Sequence, residues 1–325
     1  MRNWIVPATL LILGILATGS AAAADAYPSK PIRLVLGYPP GGSDDYLARI
    51  LGVRLTEKLG QQVVVDNRPG VAGNAAAEIV ATAAPDGYTL FLSPTTLLAA
   101  SRSLYPKLGY DLLKDFAYVS VVATGGTVLL THPSLPAKNV AEFVALAKAS
   151  PKSIAYGSAG VASLSHLSME LLQSRTGIEL LHVPYRGSAP NSVGLAAGEV
   201  KVSFASLAAA LPMVQSKRIN ALAVTTAKRT AALPDVPTIA ESGVTGYDVT
   251  ISYGVLAPQG TPAAVLNLLN AEIRRIVLLP DVKARFAEQA LESAPNSPEE
   301  YRAQTEAELT QWSRVVKEAK IPANH

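Results

Sequence analysis

The chain has 325 residues, 49% of them hydrophobic, and 28 Lys and Arg against 25 Asp and Glu, a formal charge of +3. It contains no cysteine, so disulfides and an anchor through a lipid-modified cysteine are both excluded, and a large core must hold the fold together. No basic block and no interleaving of Lys or Arg with aromatic residues is present, which argues against nucleic acid as a partner.

The opening segment MRNWIVPATLLILGILATGSAAAA, residues 1–24, joins one early Arg to an apolar run and a small-residue end. This pattern predicts a secretory signal peptide, with Ala22 and Ala24 giving the A-x-A spacing for cleavage before Asp25, and a mature protein soluble in the periplasm. The apolar run from Ile5 to Ala17 is shorter than the roughly 20 residues of a spanning helix, which weighs against a retained anchor. Short β-branched or Leu-rich runs follow, IRLVL, QVVVDN, YTLFL, FAYVSVVA and TVLLTH, separated by longer Ala-rich stretches. The alternation predicts α/β architecture. After the first run, Leu47, Ile50, Leu51, Leu55 and Leu59 recur at helical spacing while Arg49, Arg54 and Lys58 lie off that stripe, predicting a surface helix packed on a sheet.

Further along, AEFVALAKAS and SLSHLSMELLQSR predict helices, and SIAYGS, IELLHV and KVSFAS predict strands, together a second α/β unit. NALAVTT then leads through the Pro-rich ALPDVPTIAESGV, where the chain crosses back to the first unit, and PAAVLNLLNAEIRRIV and PEEYRAQTEAELTQWSRVVKEA predict closing helices. The expected organisation is a lobe of residues 25–124 plus about 227–325, with the closing helices placed only loosely, and a second lobe of residues 125–226. Two such units joined by more than one crossing predict a cleft between hinged lobes, with ligand sites off the carboxyl ends of the strands.

Two turns carry the chemistry. In IRLVLGYPPGGSDDYLARI the amides of Gly41, Gly42, Ser43 and Asp44 fall near a helix N-terminus, where unsatisfied N–H groups and the helix dipole favour an anion. The loop lacks both the GK[ST] ending of a Walker loop and the G-x-G-x-x-G of a dinucleotide site. A plain strand-to-helix turn capped by Ser43 or Asp44 is the competing reading. SIAYGSAGVASLSHLSMELL repeats the design, so Ser158 and Ser163 with their neighbouring amides are candidates to hold a carboxylate without Lys or Arg. His166 is expected to be a packed histidine. A hydrolase built on Ser158 or Ser163 with His166 or His182 lacks the G-x-S-x-G spacing and an evident acid. His132, His166, His182 and His325 show no metal-ligand spacing, and no cofactor is expected.

The segments YPSKPIRLVLGYPPGGSDDYLARILGVRLTEKLGQQVVVDNRPGVAGN, AAPDGYTL, YGSAGVASLSHLSMELL, LLHVPYRGSAP, AGEVKVSF, INALAVTTAKRTAALPDVPTIAESG and GVLAPQGTPAAVLNLLNAEI occur in one order. Together they resemble the periplasmic solute-binding proteins of tripartite tricarboxylate transporters, the Bug proteins, over essentially the whole mature chain. The resemblance implies a two-lobed Venus-flytrap fold of the type II kind and a monomer that captures a small carboxylate and delivers it to membrane transporter subunits. It implies binding residues Tyr38, Gly41, Gly42, Ser43 and Asp44 in the first turn and Ser158, Ala159, Gly160, Val161 and Ser163 in the second. Ser93, Thr95, Tyr185 and Ser206 join them at the cleft or hinge, while Arg186 is as readily a structural ion-pair former. An orphan binding protein that serves a signalling partner has the same pocket and is the alternative.

Departures from the family pattern bear on the ligand. Asp45 is the expected family acid and Asp44 the unusual one, expected either to turn out to solvent or to discourage a second negative charge on the ligand. Phe204, Ala205 and Ser206 stand where the family often reads Phe-Asp, which disfavours an amino acid ligand and favours a mono- or dicarboxylate, aliphatic or aromatic. Ala159 and Ala162 replace the family's Pro and Gly in the second turn.

Overall fold

A computed structural model describes residues 27–105, 107–161, 163–318 and 321. The signal peptide expected over residues 1–24, Ala162 and His325 therefore lie outside the described residues. The IRLVL run forms β1 (Ile32–Leu36), followed by α1 (Ser43–Leu59), β2 (Val63–Asn67), α2 (Asn74–Ala81), β3 (Thr89–Pro94) and α3 (Thr95–Leu104). The α1 stripe predicted from the leucine spacing is buried at Leu47, Ile50, Leu51 and Leu55, and the helix stops where Gly60 turns left-handed with φ +70°.

Next comes β4 (Phe116–Thr131), 16 residues long, where the sequence suggested two strands broken at Gly125 and Gly126. The glycines do not break it. They mark the place where one strand leaves the first part of the sheet and enters the second. Residues 116–126 of β4 pair with β9, whereas residues 127–131 pair with β7 and β8. The second part holds α4 (Val140–Ala149), β5 (Ala155–Ser158), α5 (Leu164–Thr176), β6 (Leu181–Pro184), α6 (Ser188–Ala197), β7 (Val202–Ser206), α7 (Leu207–Gln215) and β8 (Asn220–Val224). The chain returns through β9 (Thr250–Pro258), α8 (Ala263–Val277), α9 (Pro280–Glu288), β10 (Glu292–Ser293) and α10 (Pro298–Glu318).

The strand order is β2-β1-β3-β9-β4-β7-β5-β6, with β8 and β10 also on β4. Strand β9, for which the sequence analysis has no separate expectation, runs antiparallel between β3 and β4 and so makes the sheet mixed. Helices α1, α8 and α9 contribute to the core on one face of the first part, and α2, α3 and α10 to the core on the other. Helix α10 packs on α3 and β4 and reaches α5, so it ties the two parts together.

Candidate functional site

The first turn is built by its own polar groups. Asn67 Nδ2 donates to the carbonyl of Tyr38 at 3.0 Å, and the Tyr38 hydroxyl donates to the carbonyl of Ala72 at 3.0 Å. Gly41 takes φ +92°, and its N–H donates to Asp45 Oδ2 at 3.0 Å. Arg49 grips the same carboxylate with two bonds of 2.9 Å, which holds its pKa below the ordinary carboxylate value. Asp45 is thus the strut of the loop as well as a helix N-terminal acid. Asp44 does not turn out to solvent. It is 4% exposed, its Oδ2 has no hydrogen-bond partner, and burial pushes its pKa up to about 6 against the opposing pull of the Asp45 and Asp44 amides.

The second turn is equally self-contained. Ser158 is fully buried, accepts from the Gly160 N–H at 3.1 Å and stands 2.7 Å from His182 Nε2. The Ala159 N–H donates to Ser165 Oγ at 2.8 Å, and Ser163 Oγ donates to the Gly160 carbonyl at 2.6 Å. Behind it His166 and His182 stack at 4.2 Å between centroids, and Tyr156 continues the stack on His182 at 4.7 Å. Glu170 lies 3.7 Å from His166 and accepts from the Tyr156 hydroxyl at 2.6 Å. Burial and the neighbouring His182 push His166 down to about 4, and burial also lowers His182. His166 is packed, as its place in the helix suggested.

A cleft of about 480 Å³ opens between the two turns. Among the described residues, its walls carry hydroxyl groups on about half of the lining residues and include no Lys, Arg, Asp or Glu. The structure brings Tyr38, Gly42, Ser43, Ala159, Val161, Ser163 and Ser206 to this surface. The other expected positions do not line it. Gly41 and Gly160 shape the turns, Asp44 lies beneath the first, and the Ser158 hydroxyl is turned into the wall. Ser93 is fully buried, and Thr95 Oγ1 donates to the carbonyl of Ser252 at 3.2 Å, because the start of α3 is inserted under β9. Later residues of α3, Leu97 and Ser101, line the cleft instead. Tyr185 points away, its hydroxyl donating to Glu199 at 3.0 Å, and Ser188 lines the cleft in its place.

Ser165, Thr127 and Tyr253 were also missed. Ser165 lies two residues beyond the expected Ser163, and Thr127 follows the Gly125-Gly126 pair, so both had a local signal. Tyr253 had none, since it sits on β9. Three helix N-termini from the second part converge here, through Ser163 before α5, Ser188 at the start of α6 and Ser206 before α7. None of the three has an acid in its first turn, so their partial positive charge faces the cleft uncancelled.

Residues 47–321 match the model of the family described as the tripartite tricarboxylate transporter family receptor. The chain belongs to this receptor family. Protein BugT of Bordetella pertussis is 37% identical over 314 residues, which is 95% of this chain and 96% of that one. A protein from the tcbD-tcbE intergenic region of Pseudomonas sp. strain P51 is 38% identical over 305 residues, 94% of this chain and 90% of its own length. Among solved structures, R. palustris Rpa4515 with adipate superposes with a TM-score of 0.79 at 38% identity, covering 91% of this chain and 99% of that chain. MatC from Rhodopseudomonas palustris with bound malate gives 0.75 at 30% identity, covering 89% and 100%. The expected family and α/β periplasmic-binding-protein fold both hold.

Proposed function

We propose that this receptor captures a small organic carboxylate between two lobes, residues 25–124 plus about 227–325 and residues 125–226, and presents the closed form to membrane transporter subunits as a monomer. The observation that carries the reading is the cleft in which three acid-free helix N-termini and a set of hydroxyls converge with no charged side chain among the described lining residues. Burying a carboxylate costs free energy unless each oxygen finds donors, and closure of the two walls supplies them. The adipate and malate held by the two structural neighbours are small carboxylates of this kind. Export to the periplasm follows from the N-terminal pattern. The binding reading is favoured over a hydrolase on Ser158 because that side chain is fully buried and hydrogen-bonded within its own turn.

Thermal unfolding of the ligand-freed protein against mono-, di- and tricarboxylates, aromatic acids, amino acids and sugars tests the reading. A cognate acid at about 100 times its Kd adds roughly 2.7 kcal/mol. Stabilisation by sugars alone would contradict a carboxylate receptor.

A further inference from the structure

The two walls of the cleft are electrostatically unlike. On the second-turn side the first turns of α5, α6 and α7 carry no acid, whereas α1 carries Asp44 and Asp45 in its first turn. One of the amides that would make the N-terminus of α1 an anion cradle, that of Gly41, is already occupied by the chain's own carboxylate. The Gly41 N–H is bound to Asp45, and the Asp44 and Asp45 amides pull against the burial that raises the Asp44 carboxyl. Asp45 is neutralised by its two bonds to Arg49. Asp44 has no such cation, and its Oδ2 is buried without a hydrogen-bond partner. Besides Asp45 on its own helix, the titratable groups that face it are Tyr38, from the loop before α1, and Tyr253, from β9. Both tyrosines line the cleft, as do Gly42 and Ser43 immediately before Asp44.

Resting on the carboxylate reading above, we infer that Asp44 is a specificity-determining residue that rejects a second ionised group at the α1 end of the cleft. The ligand is then a monoanion whose carboxylate meets α5, α6 and α7 and whose far end is neutral or cationic. An unpaired carboxylate under a poorly solvated wall acts on a ligand charge through a low local dielectric, so an anion placed there loses affinity while a hydrogen-bond donor or cation gains it. The burial that leaves Asp44 unpartnered also raises its pKa to about 6, so the rejection is in force at neutral pH and relaxes as the pH falls through that value.

Calorimetric titration of the wild type, Asp44→Asn and Asp44→Thr with adipate, hexanoate and 6-aminohexanoate at pH 7.5 tests this, with thermal unfolding confirming that the variants fold. The wild type is expected to bind hexanoate and 6-aminohexanoate at least tenfold more tightly than adipate. Either substitution is expected to shrink the adipate-to-hexanoate ratio of Kd values by about tenfold, and to weaken 6-aminohexanoate relative to hexanoate. Lowering the pH to 5 should narrow the adipate gap more in the wild type than in Asp44→Asn, a difference a purely structural role would not produce. Adipate that binds the wild type as tightly as hexanoate, with ratios unmoved by either substitution, overturns the inference and leaves the carboxylate reading intact. Failure of all three acids to bind any of the three proteins overturns the inference, and the carboxylate reading falls with it only if no acid of the wider panel stabilises the protein.

Discussion

Asp45 commits its carboxylate to the Gly41 amide, the Asn67 side chain and Arg49, so one residue fixes the entry of α1 and the path of the loop before it. Asp45→Ala leaves the Gly41 N–H without its acceptor and removes one of the two acceptors of Asn67, and should cost about 1–3 kcal/mol in urea unfolding at pH 7. Because its folded pKa is depressed, that contribution is present above the ordinary carboxylate value and fades as the pH falls below it. Glu308 on α10 works in the other direction. Burial raises its pKa to about 7 although Thr96 and Gln304 donate to Oε1, and Oε2 is buried with no hydrogen-bond partner. A raised folded pKa gives stability that is fully present below about 4.5 and lost as the pH rises through about 7. Glu308→Gln should therefore unfold at higher urea than the wild type at pH 8, by about 1–3 kcal/mol, with the gap closing toward pH 4.5. Parallel pH profiles for the two proteins would contradict it. The role of Asp45 at a helix start was legible from its place after the glycines. The burial of Asp44 was not, since a sequence names an acid but not the tyrosines that cover it.

At the scale of elements, the crossing in β4 deserves the closest test. A Cβ on Gly126 would stand 2.6 Å from Thr226 Cγ2 and 3.1 Å from Thr225 Oγ1, and Thr225 exchanges hydrogen bonds with Thr127 across the same seam. Gly126→Ala should destabilise by roughly 1–3 kcal/mol through overpacking, and should weaken the affinity for the stabilising acid because Thr127 lines the cleft. Equilibrium unfolding and titration together check it, and an unchanged affinity would separate the seam from the site. A Gly-Gly pair between two β-branched runs signals a break locally, yet pairing to strands distant in sequence carries β4 straight through. Tertiary context also hid β9, whose TISYGVLAP run shows no clear alternation because residues on both of its faces are buried. The α1 helix and the second α/β unit were readable because amphipathic spacing needs no knowledge of distant partners. The start of α10 is likewise encoded locally, where Ser297 and Glu300 exchange backbone and side-chain bonds of 2.8 and 3.1 Å.

Across the whole molecule, a single sheet is divided along β4, joined at the seam of Thr127 and Thr225 and tied by α10, which packs against helices of both parts. Among the described residues no helix is long and apolar enough to cross a membrane. The two strand-to-helix turns at the cleft were visible as Gly- and Ser-rich stretches opening amphipathic helices. The lining supplied by α6 and α7 was less so, because the convergence of Ser163, Ser188 and Ser206 depends on how three strands stand side by side. Ligand binding to the closed form should shift the population of the two arrangements by its differential affinity. The most direct measurement is native mass spectrometry of the protein isolated from the periplasm, followed by chemical identification of any molecule it releases. The account predicts a monomer carrying one small organic carboxylic acid; a bound molecule without a carboxyl group, or a dimer needed to hold the ligand, would contradict it.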